Sequence, residues 1–541
     1  MTAPRPSTTQ TEALFVQPPS PPNRNVLRDY AGGYGVALSS TRAVWGADEI
    51  TQPSLALVYA FSAARKRFDS AFVDAQAEHL DRERLMEVVE GWRPSVIVAP
   101  VNLPSLYTDL EVLSALKSRT GAKIVAAGTV CSTIPADVFQ GGTVDVAVSG
   151  DLEVVGERVV SALLAGAPLD AVPGITRLVG GEVIANPGGS LSDLDQLPIP
   201  AFDELPLDGY RTWEFGLRHH AGGKQFGGLP TYFPLYFSHG CPYGCQYCPY
   251  PIGFGRKWRR KSVDRVVEEF SAAAGAGIRN VLLRDQTIAE DLEYLNDVCV
   301  ALTEADLGIR WLAEARLGSL PAPLLRLMHR AGCVRLHYGI ETGDPDMFES
   351  EGKRGVGFDN IAGSLEQTYA AGILPSAHFL IGFPDETWAS IERTASLIRE
   401  LGIANGDCSL MTPYPGTQTY RTMAEEGRIL ANSWSDFTGE DPIVRLDHLS
   451  PMELSLGRWY VLQSIRANKD VTMRSRLRAA ASALSTGSTQ EHREMQQLIR
   501  QAMTRGMSAP GTTSTTGAGA HAEPSMVETG NLEAVTGGGA A

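Results

Sequence analysis

Cys241-Pro242-Tyr243-Gly244-Cys245-Gln246-Tyr247-Cys248 follows the strand-like run Phe233 to Ser238 and the pair His239-Gly240. Three thiols fall within eight residues. Thiolates are soft ligands, and three of them converging from one short loop can hold three irons of a cubane cluster while the fourth iron stays open to a ligand. The same residues are compatible with part of a structural zinc site, or with a cluster that only relays electrons. Zinc sites usually add a second, distant Cys/His pair, and a ferredoxin cluster needs a fourth cysteine. The remaining cysteines, Cys131, Cys299, Cys333 and Cys408, are scattered singly.

At 541 residues the chain is long enough for two or three domains, each with its own core. Its formal charge of -15 disfavours a general polyanion binder, because nucleic-acid binding rests on phosphate neutralisation. No nucleic-acid partner is expected. Seven cysteines, an odd number without framework spacing, fit a reducing compartment and predict a cytoplasmic protein. Met1 to Thr11 has no apolar signal region, and no stretch offers the roughly eighteen continuous apolar residues of a membrane span. Neither export nor membrane insertion is expected. One basic run, Arg256-Lys257-Trp258-Arg259-Arg260-Lys261, goes against the acidic balance; it reads as a solvated loop or as a contact for an acidic group or a docking reductant.

Upstream of the cysteines, short apolar runs alternate with helical periodicity. Ala13 to Gln17, Ala71 to Val73, Ser95 to Ala99, Lys123 to Ala127 and Val144 to Val148 read as buried strands. Between them, Leu85, Val88, Val89 and Trp92 share one helix face. The alternation predicts a parallel sheet covered by helices on both faces, with ligands beyond the carboxyl ends of the strands. A proline-punctuated connector follows, and the polar loop with His219-His220 reads as mobile or substrate-side.

Beyond the cysteines the strand-helix rhythm resumes. Ser262 caps a predicted helix whose apolar face is Val266, Val267, Phe270 and Ala274. Strands are predicted at Asn280 to Asp285, Ile309 to Arg316, Arg335 to Gly343, Ala377 to Pro384 and Asp407 to Thr417, which with Phe233 to Ser238 makes six. Six suggests a partial barrel, open on one side, with function at the carboxyl ends of its strands. His337 and His378, inside apolar strands, fit either the barrel mouth or a satisfied place in the core, and the core is expected for both. Leu449-Ser450-Pro451 opens a helical region carrying Leu454, Leu456, Trp459, Leu462 and Ile465, followed by helices in Arg474 to Leu484 and Glu491 to Met507. The Gly/Ala/Ser/Thr-rich tail from Ser508 cannot offset its ordering entropy.

The cysteine spacing, with an aromatic just before the third thiol, resembles the cluster loop of the radical S-adenosylmethionine (SAM) superfamily. Gly339-Ile340-Glu341-Thr342-Gly343, Ile381-Gly382-Phe383-Pro384 and Thr412-Pro413-Tyr414-Pro415-Gly416 resemble three further motifs of that superfamily, in the same order. The N-terminal unit resembles the cobalamin-binding domain that precedes many such barrels, through Phe15-Val16-Gln17-Pro18-Pro19, Ala126-Ala127-Gly128-Thr129 and Val148-Ser149-Gly150-Asp151. The resemblance implies an α/β chain with a Rossmann- or flavodoxin-like cobalamin-binding domain, a partial (β/α)6 radical SAM barrel and a C-terminal helical region. Its boundaries are 1–11 disordered, 12–190 cobalamin-binding, 191–230 linker, 231–440 barrel, 441–507 helical and 508–541 disordered.

Carried over residue by residue, the resemblance gives Cys241, Cys245 and Cys248 as ligands of a 4Fe-4S cluster. Arg316 and Glu341 would contact polar groups of SAM, Asp285 and Gln286 its methionine end, and Tyr247, Ile381, Gly382, Thr412, Pro413 and Tyr414 its adenine. Asn102, Leu103, Pro104, Ser105, Gly128, Thr129, Ser132 and Gly150 would hold cobalamin. At Asp74-Ala75-Gln76-Ala77-Glu78-His79, mutase-type cobalamin proteins carry a histidine ligand where this chain has Gln76, so a cobalamin here should lack a histidine lower ligand. The activity implied is methylation of an unactivated carbon or phosphorus centre of a small-molecule or peptide natural product, through methylcobalamin and a 5'-deoxyadenosyl radical. A flavodoxin- or ferredoxin-type reductant would supply electrons. Cyclisation or ring contraction without methyl transfer, and a non-catalytic iron-sulfur protein, are the competing readings.

Overall fold

The computed structural model describes residues 10–39, 50–212, 214, 230–351 and 357–468. The expected disordered tail at 508–541, the pair His219-His220 and the helices expected within 474–507 lie outside the described residues, as does 1–9 of the expected disordered N-terminus.

The N-terminal unit runs β1 (Ala13–Gln17), β2 (Arg24–Leu27), β3 (Val36–Ser39), α1 (Leu55–Ala64), β4 (Ser70–Asp74), α2 (Arg82–Trp92), β5 (Val96–Pro100), α3 (Leu106–Thr120), β6 (Lys123–Ala127), β7 (Val146–Val148) and α4 (Leu152–Ala165). A hairpin of β8 (Ile175–Val179) and β9 (Glu182–Asn186) closes it. All five residues of β1 and of β5 are buried, as two-sided coverage demands. The sheet order is β4-β1-β5-β6-β7-β8-β9, parallel as far as β7 and antiparallel beyond it. The parallel strands, counted along the chain, stand in the flavodoxin-like order second, first, third, fourth, fifth, and the order reverses between β1 and β5. That reversal leaves a crevice at the strands' carboxyl ends.

Two features of this unit go beyond the sequence reading. The β8–β9 hairpin extends the sheet antiparallel to β7. A second hairpin, β2–β3, leaves the end of β1 and carries Tyr30 and the glycine-rich turn Ala31-Gly32-Gly33-Tyr34-Gly35 between its strands.

The second unit runs β10 (Phe233–Leu235), β11 (Ser238–His239), β12 (Arg259–Arg260), α5 (Val263–Gly275), β13 (Asn280–Leu283), α6 (Leu292–Ala305), β14 (Arg310–Ala315), α7 (Ala322–Arg330), β15 (Cys333–Glu341), α8 (Asn360–Ala370), β16 (Leu374–Ile381), α9 (Trp388–Glu400), β17 (Gly406–Leu410) and α10 (Pro451–Ala467). Six strands, β10-β13-β14-β15-β16-β17, form one wholly parallel sheet in which each new strand adds at the same edge. This is the partial barrel. Ser262 caps α5 by accepting from the Arg265 N–H, as expected. The Ser450–Glu453 capping box starts α10. Helix α10 then seats against α9, where Gly457 permits the approach: a Cβ there would stand 2.6 Å from Ile391 Cδ1.

Along β15, Leu336, Tyr338 and Ile340 are buried towards the helices, so Arg335, His337 and Gly339 face the barrel lumen. Register pairs Glu314 with His337, and His378 with both Gly339 and Asp407. These partners therefore share the lumen face. His337 is buried and His378 half-buried, which corrects the expectation of two core histidines: they belong to a polar lumen row and not to the apolar layer under the helices.

Candidate functional site

The three-thiol loop leaves β11 at the carboxyl end of the barrel, between β11 and β12, which pair antiparallel. Its entrance is fixed by backbone. Gly240 has φ 93°, and a Cβ there would lie 2.3 Å from the Lys257 carbonyl oxygen, so only glycine lets the two limbs of the loop meet. The Cys241 N–H donates to Gly255 O at 3.0 Å, and the Cys248 N–H to Cys245 O at 3.2 Å. Cys241 is buried, while Cys245 and Cys248 are half-buried. Among the described residues no three His, Cys, Asp or Glu side chains converge as ligands of a single metal ion. A cubane cluster holds its thiolates further apart than one ion does, and the donor set here, three thiols from one loop, suits it.

Asp285 and Gln286 hold this loop up. The Asp285 carboxylate accepts from the Phe237 N–H at 2.9 Å and from both the N–H and the hydroxyl of Ser238 at 2.6 Å, and Gln286 Oε1 accepts from the Gly240 N–H at 2.8 Å. Burial pushes the Asp285 carboxyl up to about 6 against the pull of these hydrogen bonds. These side-chain oxygens are thus committed to the loop's entrance.

The other expected SAM contacts lie at neighbouring strand ends. Arg316, just past β14, stacks its guanidinium over Tyr243 at 3.5 Å. Glu341, at the end of β15, has φ 68° and sits where the register with β16 slips. A non-glycine residue in left-handed backbone at a bulge re-aims its side chain, a device common at functional sites. At the end of β16, Ile381 is buried, and Gly382, with φ 100°, donates its N–H to Glu386 Oε2 at 3.1 Å. The Tyr247 ring meets Phe383 edge-on at 5.6 Å. Past β17, the Thr412 hydroxyl turns back to Leu410 O at 3.2 Å, and Pro413 leads to Tyr414. Tyr414 is buried in a stack with Tyr34 of the N-terminal hairpin, ring centroids 5.2 Å apart, and the Tyr34 hydroxyl donates to Pro415 O. Tyr414 therefore works as a domain contact.

Next to the residues that flank the loop, His239 and Ile252 to Phe254, a cavity of about 100 Å³ is lined by both units. Of the residues expected to hold cobalamin, Asn102, Gly128, Thr129, Ser132 and Gly150 line it. Leu103, Pro104 and Ser105 lie buried beside it, the Ser105 hydroxyl spent on Asp109 at 2.7 Å. Gly128, with φ 134°, has the Val101 carbonyl 2.4 Å from where a Cβ would be. The lining also includes Glu153, and sequence reasoning missed Arg28, Asp29 and Gly33 of the β2–β3 hairpin and His239. Burial, with the nearby Asp151 charge, pushes Glu153 up to about 8, while burial takes His239 down to about 4. Both are therefore neutral at pH 7, so the cavity is polar without carrying the full charge its residues suggest. Its hydroxyls and glycine backbones suit a polar cofactor tail, and its volume holds only the end of one. Gln76 is turned inside the domain: its Nε2 donates to Ser20 Oγ and, at 3.1 Å, to Val26 O, and its Oε1 accepts from Gln17 Nε2 at 2.8 Å.

The basic run is only partly solvated. Arg256 and Lys257 are exposed. Arg259 is buried and bridges Asp151 at 2.9 Å with the Leu191 carbonyl at 2.5 Å. Lys261 is fully buried on Glu269 at 2.5 Å and on the Tyr59 hydroxyl at 2.9 Å. Both tie the strand after the cysteine loop to the N-terminal unit.

Residues 235–398 match the Radical SAM superfamily. The chain is 28% identical over 409 residues to "Uncharacterized methyltransferase PH0819" of Pyrococcus horikoshii, covering 75% of this chain and 86% of that protein. Two solved structures share the fold. One is a cobalamin-dependent SAM radical enzyme, OxsB, with aqua-cobalamin and SAM bound (TM-score 0.65, 14% identity, 92% of this chain and 84% of that one). The other is the radical SAM methyltransferase TsrM from Kitasatospora setae with cobalamin and a [4Fe-4S] cluster bound (TM-score 0.58, 15% identity, 77% and 78%).

Proposed function

We propose that this chain, a radical SAM enzyme by its residues 235–398, is a cobalamin-dependent methyltransferase acting on an unactivated centre of a small molecule. The observation that carries the reading is the three-thiol loop at the carboxyl end of a six-stranded partial barrel, whose flanking residues His239 and Ile252 to Phe254 line a cavity together with the carboxyl edge of a flavodoxin-like sheet. Cys241, Cys245 and Cys248 would hold a 4Fe-4S cluster. Arg316 and Glu341 would bind SAM, with Tyr247, Ile381, Gly382, Thr412 and Pro413 along its adenine. Asn102, Gly128, Thr129, Ser132 and Gly150, joined by Gly33, would hold the cobalamin tail. When bound, the cofactors supply homolysis of SAM and transfer of a methyl group to a carbon radical.

The chain's own part is placement. Asp285 and Gln286 fix the loop backbone, so the thiols are presented in one geometry. Arg259 and Lys261 set the loop's distance from the N-terminal unit. The engagement of Gln76 with Gln17, Ser20 and Val26 supports a cobalamin without a lower ligand from that position. We infer further that electrons come from a flavodoxin- or ferredoxin-type reductant.

The test is anaerobic. Protein with its cluster rebuilt is given hydroxocobalamin, a strong reductant and SAM, and 5'-deoxyadenosine and S-adenosylhomocysteine are followed together. Both should form, and S-adenosylhomocysteine should require cobalamin. Deoxyadenosine alone, with no cobalamin retained, overturns the methyltransferase reading and leaves a radical enzyme of another outcome.

A further inference from the structure

His239 stands on β11, two residues ahead of Cys241, and lines the cavity between the two units. The residue is 8% exposed, and its ring lies between Phe254, at a centroid distance of 4.6 Å, and Tyr236, at 5.2 Å. Arg259 reaches it from β12. Arg259 Nη2 donates to Phe254 O at 2.9 Å and meets His239 Nδ1 at 3.0 Å, while Nη1 is spent on Asp151 and on Leu191 O. A guanidinium only donates, so Nδ1 is the accepting nitrogen. The ring proton is therefore on Nε2 and the imidazole is neutral, by geometry alone. Nε2 has no hydrogen-bond partner among the described residues and is not one of their sealed polar atoms, so its N–H opens on the cavity.

Across the cavity, Thr129, Ser132 and Asn102 have no hydrogens left to give. Thr129 and Ser132 pass their hydroxyl protons to Gly32 O and Thr129 O, and Asn102 spends both amide hydrogens on Arg28 O and Gly33 O. The two hydroxyl oxygens keep lone pairs and can still accept. Nor is a cation free: Arg28 is held through both terminal nitrogens by Asp109, and Arg259 by Asp151. An anion entering here would find no uncommitted charge and would be buried unpaired. A group that accepts at one atom and donates from the next finds partners for both. A primary carboxamide is such a group.

We propose that the part of the cobalamin entering this cavity is a carboxamide arm, with the His239 Nε2–H on its carbonyl oxygen and the Thr129 and Ser132 hydroxyl oxygens accepting from its NH2 group. His239 is then a cofactor-binding residue carried at the root of the cluster loop itself. The inference rests on the proposed function, because it takes the cavity as part of the cobalamin site.

The experiment titrates the full chain, with its cluster rebuilt, against hydroxocobalamin under anaerobic conditions and reads the dissociation constant from the absorbance of bound cobalamin. Three variants are compared with the wild type. His239→Phe keeps the ring packing and loses both nitrogens. His239→Gln can accept from Arg259 through its carbonyl and donate to the ligand through its amide. His239→Glu still accepts from Arg259 but has no N–H to give. Affinity should fall at least about threefold in the Phe and Glu variants, as expected for one lost hydrogen bond, and stay within about twofold in the Gln variant. Iron content, measured on the same samples, should be equal in all four; if Phe disturbs the cluster, the Gln and Glu pair decides. Affinity unchanged in Phe, Gln as weak as Phe, or Glu as tight as Gln overturns the proposal, the last because the ring would then serve only to hold Arg259. A wild type that binds no hydroxocobalamin overturns the proposed function, and this inference with it, whereas wild-type binding that the variants leave untouched overturns this inference alone.

Discussion

Lys261 is fully buried, and its ammonium is neutralised by Glu269 and hydrogen-bonded to Tyr59 across the domain boundary. Burial pulls its pKa down while Glu269 pulls it up. Removing one partner of such a pair strands a buried charge, at a cost of about 3–5 kcal/mol, whereas replacing both with apolar residues is often nearly neutral. Lys261→Met should therefore lower the thermal midpoint sharply, and Lys261→Met with Glu269→Leu should recover most of it in the same melt. The cysteines behave differently. Cys248→Ser should leave secondary structure intact by circular dichroism while iron content and deoxyadenosine formation fall to background, because serine is too hard a ligand to replace the thiolate.

Among the elements, the β2–β3 hairpin was the least legible in the sequence. Its partners lie some four hundred residues away: Arg24 pairs with Asp441 at 3.0 Å, and Tyr34 stacks on Tyr414. Local pattern cannot report such contacts, and a glycine-rich turn reads as a loop. The strands were legible because burial on both faces leaves plain apolar runs, as in β1 and β5. The same two-sided burial hid the lumen histidines, since in β15 polar lumen residues alternate with apolar ones and the whole run looks like core. The cysteine loop was legible from spacing alone, but the duties of Asp285 and Gln286 were not, because only the fold brings them under Ser238 and Gly240. The hairpin's contact with the turn Tyr250–Gly253 is tight: a Cβ on Gly253 would stand 1.8 Å from the Gly32 carbonyl oxygen. Gly253→Ala should destabilise the protein by about 1–3 kcal/mol, as overpacking does, and denaturant melts should show it.

For the whole molecule, two half-buried carboxyls give opposite pH limbs. Glu153, held up at about 8 in the fold from an ordinary 4.5, keeps its proton while the unfolded chain loses it. The unfolded state then binds fewer protons, so stability falls as pH rises from about 4.5 to about 8 and levels beyond. Glu153→Gln should flatten that limb in melts across the range. Glu214, held down at about 2, contributes stability that is complete above 4.5 and is lost as pH falls towards 2. Glu214→Gln should remove that acid-side loss.

Arg259 and Lys261 stand eleven and thirteen residues beyond Cys248 on the same segment and carry buried links to Asp151 and Tyr59. The piece of chain that presents the thiols is also the piece that fastens the two halves. This makes the halves poor interchangeable parts. A chimera cut in the 191–230 connector, joining this N-terminal half to the barrel of a relative, would also have to transplant the segment from Cys241 to Glu269. A designer seeking a new substrate should leave that seam alone and recut the barrel strands below it.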